Sequence, residues 1–203
     1  DAATGRVTRR LAGPQSDGHF DAISFLNSSG DFSPTADRFA FIVYNDGNNE
    51  ITIINSRNGD IVKRMRPADV GAIYNVAWSP RRRSIAFSGA KGGVSDLYVV
   101  DIESGAVRQL TNDKYADLQP AWSPDGRTIA LATDRSSQTD FDRLTFGMLQ
   151  IATVDVASGA LTVRQGFSEG KHINPQFTAD GGSLLFVSDQ DGISDLYRMD
   201  LTS

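Results

Sequence analysis

The chain has 203 residues, 39% apolar and 22% charged, with a net charge of −5 and a pI near 5.0. That acidic balance argues against general nucleic-acid binding, which needs a basic face. The lack of cysteine excludes disulfides and thiolate metal sites, and no apolar stretch approaches the ~20 residues of a membrane-spanning helix.

In chain order, the first predicted element is a turn followed by a short strand. Asp1-Ala2-Ala3-Thr4-Gly5 leads into a strand over about 6–11, and the same pattern returns at Asp101-Ile102-Glu103-Ser104-Gly105 before Ala106 to Leu110. A longer connection follows, with His19, Phe20 and Asp21 in its extra length. Next come four copies of one phrase, an aromatic residue, a hydroxyl residue and a turn: Phe32-Ser33-Pro34, Trp78-Ser79-Pro80, Trp122-Ser123-Pro124 and the weaker Phe177-Thr178-Ala179.

Ser33, Ser79, Ser123 and Thr178 are spaced by 46, 44 and 55 residues, the period of a four-stranded propeller blade, roughly 40–50 residues. The second unit shows the pieces. Ile73-Tyr74-Asn75-Val76-Ala77-Trp78 enters the turn, and Ser84 to Ser88, Asp96 to Asp101 and Ala106 to Leu110 follow as three more short strands. Their length and their β-branched and aromatic content fit β structure. In Ser123-Pro124-Asp125-Gly126, proline presets φ and glycine accepts a positive φ, which suits a tight hairpin. Asn55 to Gly59, Asp101 to Gly105 and Asp155 to Gly159 form a second repeated turn.

The expectation is an all-β propeller array: 1–11 an outermost strand of a preceding or closing blade, 12–70 a blade, 71–115 a blade, 116–170 a blade with a loop insertion at 134–147, and 171–203 an incomplete blade. Two readings of the ends stand. In one, the strand near 6–11 completes the last blade and closes a four-bladed ring. In the other, which is favoured, the array is a piece of a longer chain that carries further blades.

Ala121-Trp122-Ser123-Pro124-Asp125-Gly126-Arg127-Thr128-Ile129-Ala130, preceded by Asp117 to Pro120, resembles the TolB-type β-propeller repeat. So does Ser95-Asp96-Leu97-Tyr98-Val99-Val100-Asp101 with Leu110-Thr111-Asn112-Asp113. The same repeat occurs in the propellers of tricorn-like and prolyl-oligopeptidase-like peptidases. The resemblance covers about 30–203 and implies a propeller of six or more blades in a bacterial, periplasmic or otherwise extracytoplasmic protein. The second unit departs from it, with Arg81-Arg82-Arg83 where Asp-Gly is usual.

Propeller function sits in loops and at the channel, because the strands form the rigid scaffold. Four residues before each hydroxyl stand Ser29, Asn75, Gln119 and Asn174, all polar. Two residues earlier stand Asp117 and His172, and Tyr74 adjoins. These are candidate channel or partner-binding residues; the competing reading is that a wet channel is polar anyway. Phe141 and Phe146 in the long loop, and the basic knob Arg81, Arg82 and Arg83, are candidate contacts. Asp134, Asp140 and Asp142 are oxygen ligands of the kind calcium takes, but without EF-hand spacing they read first as solvated turns. No cofactor is expected. No Gly-x-Ser-x-Gly elbow marks a hydrolase, and no enzyme activity is expected of this chain. The expected function is a non-catalytic scaffold for a protein or peptide partner. The alternatives are the substrate-gating propeller of a serine peptidase, and a structural subunit of a larger assembly.

Overall fold

The computed structural model describes residues 3–11, 22–23, 30–81, 83–165 and 169–201. These residues form strands and no helix, in four separate antiparallel sheets that follow one another along the chain. In the first, β1 (Ala22–Ile23) and β2 (Asp31–Phe32) both pair with β3 (Arg38–Asn45), followed by β4 (Asn48–Asn55) and β5 (Ile61–Met65). The second holds β6 (Ala72–Trp78), β7 (Ser84–Lys91), β8 (Val94–Asp101) and β9 (Val107–Gln109). The third holds β10 (Asp117–Trp122), β11 (Thr128–Thr133), β12 (Gln150–Asp155) and β13 (Leu161–Val163). The fourth has three strands, β14 (His172–Phe177), β15 (Ser183–Ser188) and β16 (Asp195–Asp200).

Each sheet packs face to face on the next, so the middle strands of the second and third sheets are covered on both sides and read as continuous apolar runs. Strand periodicity then deals alternate residues to alternate neighbours. Ile85, Phe87, Tyr98 and Val100 join Ile42, Ile51 and Ile53 of the first sheet. Ala86 and Leu97, on the opposite face, join Trp122, Ile129 and Leu131 of the third. Ala130 and Ile151 turn away from that cluster to meet Leu184 and Phe186. The outermost strand β9 has no strand beyond it among the described residues and is exposed throughout.

The hydroxyl of the repeated phrase closes the first, third and fourth hairpins. Ser123 Oγ donates to Asp125 at 2.6 Å and accepts the Thr128 N–H at 3.0 Å. Ser33 does the same with Asp37 and Arg38, and Thr178 with Asp180 and Ser183. In the second turn, Asp101 and Asp155 accept the backbone N–H and hydroxyl of Ser104 and Ser158. Gly105 and Gly159 follow at φ of 73° and 76°, a conformation that costs glycine nothing.

Residues 6–11 lie in no strand, where the sequence predicts one. The turn before them is nevertheless the repeated one: the Arg6 N–H donates to Thr4 Oγ1 as the Ala106 N–H donates to Ser104 Oγ. Leu11 also lies where the alignment puts it. A Cβ on Gly59 would meet the Leu11 carbonyl oxygen, just as one on Gly159 would meet that of Leu110. A strand needs a ladder partner, and no strand of the fourth sheet touches the first among the described residues.

Candidate binding surface at the inner strands

Strands β6, β10 and β14 lie innermost, and each carries an irregularity of register, between Ile73 and Asn75, Leu118 and Ala121, and Ile173 and Gln176. In the last two, Gln119 and Asn174 adopt φ of 56° and 54°, the bulge conformation that re-aims a backbone N–H. The Gln119 N–H donates to Asn75 Oδ1 at 3.2 Å, and the Asn174 N–H donates to Gln119 Oε1 at 2.8 Å. The expected polar residues thus form a ladder that stitches the second, third and fourth sheets together at their inner edges. With its oxygen engaged, Gln119 has its NH2 group to offer a ligand.

A cleft of about 390 Å³ opens here, lined by Asp31, Asn75, Gln119, Asn174 and Gln176 and walled by Trp78 and Trp122. Among the described residues Asp31 carries the cleft's only carboxylate, and it was not among the residues expected from the repeat. It accepts the Trp78 N–H at 2.7 Å, and burial pushes its carboxyl above the ordinary 3.8, against the pull of that bond. A signal was available: two residues before the hydroxyl the other units carry Ala77, Ala121 and Gln176, so Asp31 breaks the repeat.

The remaining candidates divide. Asp117 is 1% exposed and His172 likewise, so both lie inside the fold, out of a ligand's reach. Asp117 is bound by the Arg135 guanidinium, which also reaches Asp113. Burial raises the Asp117 carboxyl, opposed by that arginine. His172 Nδ1 lies 2.9 Å from Ser188 Oγ and the ring meets Phe186 edge-on; burial lowers its basicity. This Ser–His contact is sealed from substrate. Tyr74 is half-buried on β6 and does not line the cleft. Ser29 and Arg82 lie outside the described residues.

The loop 134–147 is pinned at its base: Thr139 Oγ1 donates to the Asp134 carbonyl and accepts the Gly147 N–H. Phe141 packs edge-on against both Tyr115 and Phe146, with the Lys114 ammonium 4.4 Å from its ring centre. Phe146 is 62% exposed and Leu144 74%. This loop joins β11 to β12, at the end of the sheets where β10 begins. Two of the three acids are spent on local structure: Asp134 accepts the Ala116 N–H, and Asp140 accepts those of Asp142 and Arg143. Among the described residues, no group of three His, Asp or Glu side chains is arranged to hold a metal ion.

Antiparallel sheets of three to five strands packed face to face in chain order, with polar residues on the inner strands, define the class: a β-propeller. The chain belongs to the TolB beta propeller domain family, whose model matches residues 26–147. It is 30% identical over 136 residues to the uncharacterized peptidase YuxL of Bacillus subtilis (strain 168), covering 54% of this chain and 20% of the relative. It is 39% identical over 70 residues to the Tol-Pal system protein TolB of Francisella tularensis subsp. mediasiatica (strain FSC147), covering 34% of this chain and 16% of the relative. The crystal structure of TolB from Acinetobacter baumannii superposes with a TM-score of 0.66 at 19% identity, over 86% of this chain and 41% of that one. The matched region covers less than half the length of each of these proteins.

Proposed function

We propose that this propeller is a non-catalytic platform that binds a peptide segment of a partner protein at the mouth of the inner-strand cleft. The observation that carries this is the amide ladder. The oxygens of Asn75 and Gln119 are committed to the next sheet, so the NH2 of Gln119 faces a ligand as a donor. Peptide carbonyls and a chain-end carboxylate are the acceptors that suit such a lining. The rigid sheets hold these groups in place before binding, which lowers the ordering cost. An extracytoplasmic location, implied by the repeat, belongs to the same reading.

Displayed peptides selected on this chain test it. They should protect β6, β10 and β14 from amide exchange and bind the Gln176→Arg variant at least about tenfold more weakly. Selected peptides that ignore this substitution and protect other strands would refute the channel as the site. A second reading draws on the similarity to YuxL: the same propeller gates substrate for a peptidase domain elsewhere in a longer protein. A hydrolase sequence in the same reading frame would favour it. The third, a structural subunit, predicts a stoichiometric complex that leaves the cleft open to those peptides.

A further inference from the structure

A larger cleft, of about 720 Å³, lies between the first two sheets on the side of the Ser-Pro hairpins. It adjoins the inner cleft at Trp78 and Pro80, which line both. Pro34, Pro80, Trp78 and Val62 give it apolar walls, and Val62 is 43% exposed there. Its charged lining is Arg38, Lys63, Arg81 and Arg83 against Asp37 and Glu103. This local excess of positive charge sits on a chain whose net charge is −5, so it is not a background of the composition.

The two carboxylates are already engaged. Asp37 accepts the hydroxyls of Ser33 and Thr35 at 2.9 and 2.5 Å, with Arg38 beside it at 3.8 Å. Glu103 is paired with Arg83 at 3.0 Å, and Lys63 Nζ donates to the Glu103 carbonyl. Arg81 is different. It makes no hydrogen bond or ion pair among the described residues, and it influences Asp125 only at longer range, across a neighbouring cleft that both residues line. It also stands two residues after its hydroxyl, where the third hairpin has Asp125 and the fourth Asp180. The second hairpin has thus exchanged an inward-bonding acid for an outward cation at the lip of an apolar cleft.

We propose that this cleft binds a short acidic segment of a partner protein. A single aliphatic side chain lies against Trp78, Pro34, Pro80 and Val62, and flanking Asp or Glu carboxylates meet Arg81, Arg38 and Lys63. The apolar walls select against a bare inorganic anion. The two acids on the lip select against the continuous phosphates of a nucleic acid. This site is independent of the amide-lined cleft and stands if that reading fails.

The test is fluorescence anisotropy with a labelled Glu-Glu-Leu-Asp-Glu peptide on the intact chain. Saturable binding is expected that weakens with added salt. Arg81→Gln and Lys63→Gln should each weaken it about tenfold, Arg81→Lys much less, and Gln176→Arg not at all. Replacing the leucine by glycine should abolish binding, and a Lys-Lys-Leu-Lys-Lys peptide should not bind. Arg81 and Lys63 lie at the surface, and circular dichroism checks that the variants are folded. Absence of saturation at millimolar peptide, indifference to Arg81→Gln, or equal binding of a ten-residue oligothymidylate would each overturn the proposal. Loss of binding through Gln176→Arg alone would move the peptide to the inner cleft instead.

Discussion

Ser79 is fully buried, and its hydroxyl has no hydrogen-bond partner among the described residues. Its counterparts Ser33, Ser123 and Thr178 all donate to an aspartate, and the second hairpin lacks that acid because Arg81 occupies its place. A buried polar group left unsatisfied costs about 1–3 kcal/mol. Arg81→Asp should therefore stabilise the protein by about 1 kcal/mol in urea denaturation, while weakening any acidic peptide bound at the neighbouring cleft. An unchanged or lowered midpoint would show that the hairpin does not use the bond. The hydroxyl–acid pairs also fix a pH dependence. The Ser123 hydroxyl holds Asp125 below the ordinary 3.8, and Thr178 and Ser158 do the same for Asp180 and Asp155. Lowered folded values mean that this stability is present above 3.8 and is lost as pH falls through them. Burial raises Asp31 and Asp96, so their contribution has the opposite sign, present below 3.8 and lost as pH climbs through their folded values. The expected profile is an acid limb that Asp125→Asn flattens and Asp96→Asn steepens, read from urea midpoints between about pH 3 and 6.

Among the elements, the inner strands show what a sequence can and cannot disclose. Asn75, Gln119 and Asn174 were legible because the repeat places them at one offset from the hydroxyl. Asp117 and His172, two residues earlier, were expected on the same face by strand alternation. The bulges at Leu118–Ala121 and Ile173–Gln176 interrupt that alternation, and a bulge is invisible to a period-two count. Asp117 enters the interior instead, where Arg135 joins it to Asp113. Neither the residue spacing nor the repeat marked Arg135, because it lies in the inserted loop that the other units lack. Removing it leaves a buried carboxylate with its cation gone, a loss of about 3–5 kcal/mol for pairs of this kind. Arg135→Met should approach that loss in urea denaturation, and the added substitution Asp117→Asn should recover a good part of it. If the double variant is no more stable than Arg135→Met, the arginine acts through its stacking on Tyr115 instead of through charge.

At the scale of the molecule, the sheets form a linear series: each packs on its neighbour, and among the described residues the first and last do not meet. The repeat announced this series plainly, since one phrase at one period dictates one supersecondary unit. How the series is bounded was not legible, because closure depends on which strand lies beside β16, and that is a long-range pairing. Stability in such an array is close to a sum of unit and nearest-neighbour terms. β8 and β12 are the third strands of their sheets and are covered by β9 and β13. β16 holds the same position in the fourth sheet with no strand on its outer side among the described residues, and Leu196 on it is 70% exposed. Backbone amides of β16 should exchange at least about tenfold faster than those of β8 and β12. Phe186, fully buried between the third and fourth sheets, offers the sharper test. Phe→Ala in a core costs about 3–5 kcal/mol. In a linear array Phe186→Ala should strip protection from β14, β15 and β16 first, and leave β6, β7 and β8 near their original exchange rates. Phe87→Ala, at the interface of the first two sheets, should instead expose the middle of the series. If either substitution accelerates exchange uniformly through all four sheets, the array opens as one cooperative unit, and the nearest-neighbour description does not hold for it.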